Sequence, residues 1–244
     1  MHQTIEPAIH YWGTPVALIS SLNQDGSTNI APMSSVWWLG WSCMLGLDAS
    51  SRTVENLRRH RPCVINLPSD TMAAQVNALA LTTGSPDVPL HKKMLGYRHA
   101  PDKFGTAGLT PAPLADGWPH AVRECPVQLE GEVVSLRPFA THDPRMAVPA
   151  VAVEVRLLRV HADPSLLKPE HPHRIDPDRW RPMFMSFRHL FGRGDRLDKS
   201  TLARGPEEDY APWKQGPVRR AAGAVLSAWS RRRYAVAGDE GEGD

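Results

Sequence analysis

A mainly β fold with flanking helices, built on an antiparallel sheet that closes or nearly closes on itself, is what this sequence predicts. Two long segments, Glu124–Leu136 (ECPVQLEGEVVSL) and Val148–His161 (VPAVAVEVRLLRVH), alternate apolar and polar residues and read as antiparallel partners across 137–147. The turn pair Asp25-Gly26 lies between the apolar runs Val16–Leu22 and Ile30–Leu39, which is the pattern of a hairpin. The 23 prolines favour many fixed loops over long regular elements.

Composition narrows the class of protein. At 244 residues, 41% hydrophobic and 22% charged, the chain has enough apolar content to bury a real core. A net charge of +2 gives no field that points to nucleic acid or an acidic membrane. The three cysteines, Cys43, Cys63 and Cys125, are scattered and lack CxxC spacing, so they read as buried thiols in a reducing compartment. Neither a signal peptide nor an apolar run of roughly 18 residues is evident, and a cytoplasmic location is expected. Trp37, Trp38 and Trp41 cluster as core or as cover for an interface or planar ligand.

Val16–Leu22 is apolar enough for a strand buried on both faces. The run Ile30–Leu39 forms the second strand and Cys43–Leu47 the third. A helix over TVENLRRH starts near Thr53 and ends before Arg61-Pro62, with Val54 and Leu57 on its inner side. Cys63–Leu67 makes a fourth strand. Ser69-Asp70 should cap a helix over Thr71–Leu81 whose Met72, Val76 and Leu79 share a face. From Thr82 to His120 the chain is irregular apart from a short helical stretch at Leu90–Leu95, and so long a connection suggests a functional or lid-like segment. Arg179–Phe191 is an ordered piece within a proline-rich stretch. Residues 205–244 are expected to form an extension, with an amphipathic helix at Val218–Ala235 and an acidic tail, after a domain spanning 1–204.

The chemistry concentrates where the third strand meets the first helix. Asp48, Ser50, Ser51, Arg52 and Thr53 bring hydroxyls and a guanidinium to a helix start, whose first N–H groups lack intrahelical acceptors. Such a set suits a phosphate. The expected occupant is a flavin phosphate, with the rest of the flavin lying along Asn29–Ser35.

The order of these motifs resembles the flavin reductase-like, FMN-binding split-barrel family. The residues that carry the resemblance are Pro15-Val-Ala-Leu-Ile, Asn29-Ile-Ala-Pro-Met-Ser-Ser, Ser51-Arg-Thr-Val-Glu-Asn, Val64-Ile-Asn-Leu and Glu124-Cys-Pro-Val-Gln-Leu-Glu-Gly, with Phe184–Leu197 as a later element. It spans roughly residues 12–200. The resemblance implies a six-stranded antiparallel Greek-key split β-barrel, a homodimer, and one bound FMN per subunit near the dimer interface. It places Asn29, Ala31, Pro32, Met33, Ser34 and Ser35 along the ribityl chain and ring. Asp48, Ser50, Ser51, Arg52 and Thr53 then belong to the phosphate end, with Asn56 in support. Arg52 supplies the charge that a lysine often brings in relatives. NAD(P)H is the implied reductant and a flavin-dependent monooxygenase the implied partner, while no catalytic residue is assigned.

Taken singly, these residues have plainer readings. Ser34-Ser35 can be ordinary sheet hydroxyls, Ser51 and Thr53 simple helix caps, and Arg52 a surface charge. His171-Pro-His173 lacks a third ligand at suitable spacing, so no metal is expected. His91, His99 and His120 lie in the long irregular segment and can be set facing a nicotinamide. Two rival functions stand beside the reductase: an FMN-containing electron carrier, and a flavin-free barrel acting as a binding or structural dimer.

Overall fold

The computed structural model describes residues 2–144, 146 and 148–197, and further on 217, 221, 223–225 and 228. Contacts divide the chain into Met1–Arg196 and Leu197–Asp244. The helix and acidic tail expected within 205–244 lie outside the described residues apart from those few positions.

The first compact unit is built around one sheet. Trp12–Pro15 (β1) leads into Ala17–Leu22 (β2), and the turn at Asp25-Gly26 returns the chain as Thr28–Met33 (β3). Gly26 takes φ +82°, while the Asp25 carboxylate accepts from Ser27 N and Oγ at 3.0 and 2.6 Å. Val36–Leu39 (β4), Ser42–Asp48 (β5), the helix Arg52–Arg59 (α1) and Pro62–Leu67 (β6) follow. The two long strands are Val127–Phe139 (β7) and Ala150–Ala162 (β8), paired antiparallel with Val127 opposite Ala162 and Phe139 opposite Ala150. β7 begins after Pro126, which has no N–H to give a ladder, and the preceding Cys125 N–H turns back to Val122 O at 3.1 Å.

The sheet has seven strands in the order β3-β2-β6-β7-β8-β5-β4, where six were expected. The difference arises at Ser34-Ser35. These two residues break the apolar run 30–39 into β3 and β4, which occupy opposite edges. Residues 33 and 36 are only three peptide steps apart, at most about 11 Å. The sheet must therefore curl until its edges nearly meet, although no ladder joins β3 to β4. The result is a barrel with an open seam.

Both faces of β2 are buried, as its apolar run predicts: Ala17 and Ile19 join the cluster of Leu45, Ile65, Val153 and Val155, and Leu18 joins that of Ile30, Met72 and Leu79. α1 closes the first cluster with Val54 and Leu57. A second helix, Ala73–Ala80 (α2), covers the other through Val76 and Leu79. Its expected Ser69-Asp70 cap does not form. Ser69 Oγ instead bonds Thr71 Oγ1 at 2.6 Å, Asp70 pairs with Arg181 at 3.0 Å, and one 3-10 turn precedes the α-helix. All three cysteines are buried and free, and burial pushes the Cys43 and Cys63 thiols up to about 12, which leaves them poor nucleophiles.

Asn66 stitches the two halves of the unit. Fully buried in β6, it donates to Leu18 O at 2.9 Å and Ser20 Oγ at 3.0 Å, and accepts from Val122 N at 2.8 Å. Asn66→Leu strands a buried N–H and a carbonyl together. We expect it to lower the unfolding free energy by at least about 2 kcal/mol, read as a reduced urea midpoint at unchanged slope.

Candidate functional site

A cavity of about 580 Å³ opens at the seam. Its first wall is Ala31–Ser35, the end of β3 and the crossing to β4. Gly46 in β5 makes that crossing feasible: its N–H donates to Ser35 O at 2.8 Å, and a Cβ there would stand 3.1 Å from Ser35 Cβ. The Tyr11 and Ser35 hydroxyls lie 3.1 Å apart and pin this end of the wall to the segment before β1.

The second wall is the start of α1. Ser51 is the N-cap, and its Oγ accepts from Val54 N at 3.2 Å, leaving the hydroxyl hydrogen free to donate. Thr53 Oγ1 likewise accepts from Asn29 Nδ2 at 3.3 Å. Arg52 Nη1 is tied to Glu55 Oε1 at 2.7 Å, but Arg52 Nε is buried without a partner. Asn29 Oδ1 is also buried and unpartnered. An orphaned donor and acceptor this close to an open helix end are features that a polar ligand would satisfy.

The third wall comes from the long connection. Thr82–Thr83 pairs in parallel with Arg98–His99, and the short helices Leu90–Met94 (α3) and Lys103–Ala107 (α4) flank that pairing. Gly84 runs so close to the second wall that a Cβ would come within 2.5 Å of Asn29 Oδ1 and 3.1 Å of Arg52 Cγ. α3 and α4 bring Lys92 and Lys103 to the cavity, only 7% and 4% exposed. Lys92 Nζ meets Asp48 Oδ2 at 3.1 Å, and Lys103 Nζ donates to Ile30 O at 2.9 Å. Burial, helped by the charge of Lys92, lowers the Lys103 pKa to about 8. Burial works to raise the Asp48 pKa, but hydrogen bonds from Ser50 and Lys92 outweigh it and hold the carboxyl below its ordinary value. Tyr97, also on the cavity, is shifted upward by burial and by Asp48, so its hydroxyl stays a donor.

Most of the site residues expected from the sequence meet here. Ala31, Pro32, Met33, Ser34, Ser35, Asp48, Ser51, Arg52 and Thr53 all line the cavity. Ser50 does not; its Oγ is held by Asp48 Oδ1 at 2.7 Å, with His91 Nε2 3.4 Å away. Asn56 lies beneath the wall, fully buried, donating to Ser21 Oγ at 3.1 Å and Asn23 Oδ1 at 2.9 Å. Asn29 lines an adjoining cleft of about 370 Å³ that shares Arg52, Gly84 and Lys103 with the cavity. His99 belongs to that cleft and lines the main cavity no more than His120 does.

Sequence reasoning missed Lys92, Lys103, Tyr97 and the Thr82-Thr83-Gly84 approach. The readable signal was Asp102 followed by Gly108, a cap and a left-handed stop (φ +62°) that bracket α4 and fix Lys103 at its start. It also missed the tip of the hairpin Phe184–Ser186 (β9) to His189–Phe191 (β10). Its two loop residues, Phe187 and Arg188, take φ +44° and +77°, each a departure that costs about 1–3 kcal/mol in a residue other than glycine. Phe187 stacks edge-on against Trp12 with ring centroids 4.5 Å apart, and its N–H donates to Tyr11 O at 2.9 Å. Arg188 lines the cavity.

Residues 9–166 match the flavin reductase like domain. YdfE of Bacillus subtilis (strain 168) is 37% identical over 196 residues, which cover 80% of this chain and 91% of YdfE. Among solved structures, the fold is shared with flavoredoxin of Desulfovibrio vulgaris (Miyazaki F), at a TM-score of 0.66 and 18% identity over 83% of this chain and 99% of that one. It is shared as well with nitrilotriacetate monooxygenase component B from Bacillus cereus, at a TM-score of 0.63 and 15% identity over 82% and 100%. With a mainly β sheet, an open seam and a cavity at that seam that sets cations beside apolar side chains, the chain belongs to the flavin reductase-like family.

Proposed function

We propose that this protein is an FMN-binding oxidoreductase that reduces flavin with NAD(P)H. The observation that carries the reading is the gathering of Arg52, Lys92, Lys103 and the α1 N-terminus around one cavity, with Arg52 Nε and Asn29 Oδ1 buried and unpartnered. Arg52 Nε, the lysine ammonium groups and the helix N–H groups form a donor set that fits a phosphate, whereas Asn29 Oδ1, an acceptor, calls for a ligand hydroxyl or N–H. A cavity of about 580 Å³ is within the usual range of about 300–1,000 Å³ for a cofactor site. When bound, flavin would supply the acceptor for a hydride and its electron pair.

The residues of the chain then divide the remaining work. Ser51, Arg52 and Thr53 hold the phosphate, with Lys92 oriented by Asp48 and Lys103 adding charge. Ala31–Ser35 form the side against which the ribityl chain and ring lie, and Asn29 and Asn56 brace that side from behind. Met33, Met185 and Leu190 give the cavity an apolar face that limits water. A side-chain acid or base is not required for hydride transfer itself, and none is assigned.

The assembly we favour is a cytoplasmic homodimer that supplies reduced flavin to a monooxygenase partner. The buried free thiols suit a reducing compartment. The edge strand β4 leaves Trp37 and Leu39 56% and 76% exposed, a surface that a second copy would cover. The monooxygenase partner is suggested by the structural likeness to a monooxygenase component B. Among the described residues, no helix is long and apolar enough to cross a membrane. An electron carrier would bind FMN in the same way but would not turn over NADH.

Anaerobic titration of the FMN-loaded protein with NADH is expected to bleach the flavin bands stoichiometrically and to continue catalytically with added FMN. Bands that persist under NADH leave the carrier; absence of any bound flavin leaves the structural dimer. Arg52→Ala should weaken FMN by about 1.5–3 kcal/mol, roughly ten- to 150-fold, in a fluorescence-quenching titration, and unchanged affinity removes Arg52 from the phosphate site. Lys103 gives a pH signature. An anion at the site favours charged Lys103, so binding draws a proton wherever the free protein has lost it. FMN affinity should stay level from pH 7 to about 8 and fall as pH rises beyond it, and Lys103→Met should abolish that step.

A further inference from the structure

Arg188 stands apart from the other arginines around it. Arg179 pairs with Asp176 at 3.5 Å, Arg181 with Asp70 at 3.0 Å, Arg193 with Asp178 at 3.8 Å, and Arg196 also with Asp178. Among the described residues Arg188 has neither a carboxylate nor a hydrogen-bond partner, and it lines the cavity. Its position is imposed rather than incidental. The loop that carries it adopts positive φ at two residues ill suited to it, and Phe187 is clamped by Trp12 and Tyr11.

The clamp also locates Arg188 along the cavity. Phe187 N–H reaches Tyr11 O, and the Tyr11 hydroxyl reaches Ser35. Beyond the other end of that wall, further back along β3, Asn29 reaches Thr53. Six peptide steps, about 20 Å at the rise of a strand, separate Asn29 from Ser35. A phosphate held by Ser51, Arg52 and Thr53 is therefore served at the Asn29 end, and the cation at the Ser35 end is left for a different anionic group.

We propose that Arg188 grips the pyrophosphate of the reduced nicotinamide dinucleotide, holding the hydride donor against the flavin from the side opposite the flavin phosphate. The assignment rests on the reductase reading above and adds to it the residue that recognises the second substrate. A guanidinium presented on a fixed loop offers a paired set of donors matched to phosphate oxygens. Arg188 acts in binding the donor and takes no part in the transfer of the hydride.

The test uses the full chain loaded with FMN and two hydride donors, NADH and the uncharged, phosphate-free 1-benzyl-1,4-dihydronicotinamide. Arg188→Asn removes the charge yet suits a left-handed backbone, so the hairpin should fold at least as well as in the parent. FMN affinity should be unchanged. The NADH concentration giving half-maximal bleaching should rise about tenfold, with the limiting rate preserved, and Arg188→Lys should recover part of the loss. Bleaching by the neutral donor should be the same in parent and variants. An unaltered NADH dependence overturns the assignment, as does an equal loss with the neutral donor, which would place Arg188 on the flavin itself. Parent protein that binds FMN and is bleached by the neutral donor but never by NADH overturns the reductase reading, and the role of Arg188 with it.

Discussion

A seven-stranded sheet whose two edge strands are separated by a serine pair has little choice of shape. Met33 and Val36 must stay within about 11 Å, so the sheet curls on itself and stops short of closure. The seam is also where the backbone of Ser34-Ser35 is free of ladder partners across the gap, apart from the one bond that Gly46 gives to Ser35 O. The cavity opens against that gap, and the segments that line it converge there. β5 ends beside it and launches α1, and the segment before β1 is tied to it through Tyr11. The connection after α2 folds over it. A closed barrel of the same strands would have filled this space with side chains.

The site is electrostatically unbalanced by construction. Two lysines are kept almost wholly from water beside an arginine and a helix N-terminus, and Asp48 is the carboxylate paired with Lys92 within the cavity lining. Lys103 shows the consequence, since burial and its neighbour together make its charged form easier to lose. Proteins seldom bury cations in this way without a compensating partner. Here Lys103 faces a backbone carbonyl, Ile30 O at 2.9 Å, rather than a carboxylate. An anionic ligand would thus stabilise the fold as well as occupy it, because it binds the native state alone.

The parts of this arrangement that follow local rules were legible in the sequence. Ser51 reads as a cap and is one; Val54 and Leu57 read as the inner side of α1 and are buried; the two alternating segments pair antiparallel, though the ladder runs on through Arg137–Phe139, which were expected in the loop. The seam was not legible. Ser34-Ser35 interrupts the run Ile30–Leu39 but can equally be two hydroxyls within one strand, and periodicity carries no mark for a chain that leaves one edge of a sheet and joins the other. Lys92 and Lys103 were missed for a related reason: residue type argues for exposure, and only tertiary packing of α3 and α4 overrides it. The hairpin tip at Phe187-Arg188 has no Asn or Gly to announce it.

That last omission shows how the cavity is assembled. Its walls come from residues 31–35, 51–53, 82–103 and 185–190, so no local stretch contains the site. Each wall is fixed by a contact with another rather than by its own propensity: Asn29 to Thr53, Gly84 against Asn29 and Arg52, Tyr11 to Ser35, Phe187 to Tyr11 and Trp12. A strained loop or a buried lysine survives only where such contacts over-determine it. The strain at Phe187-Arg188 and the buried charge of Lys103 are thus two expressions of one condition. Local preference is overruled around this cavity because the completed fold holds the segments there, and the polar groups so held are the ones a bound anion would use.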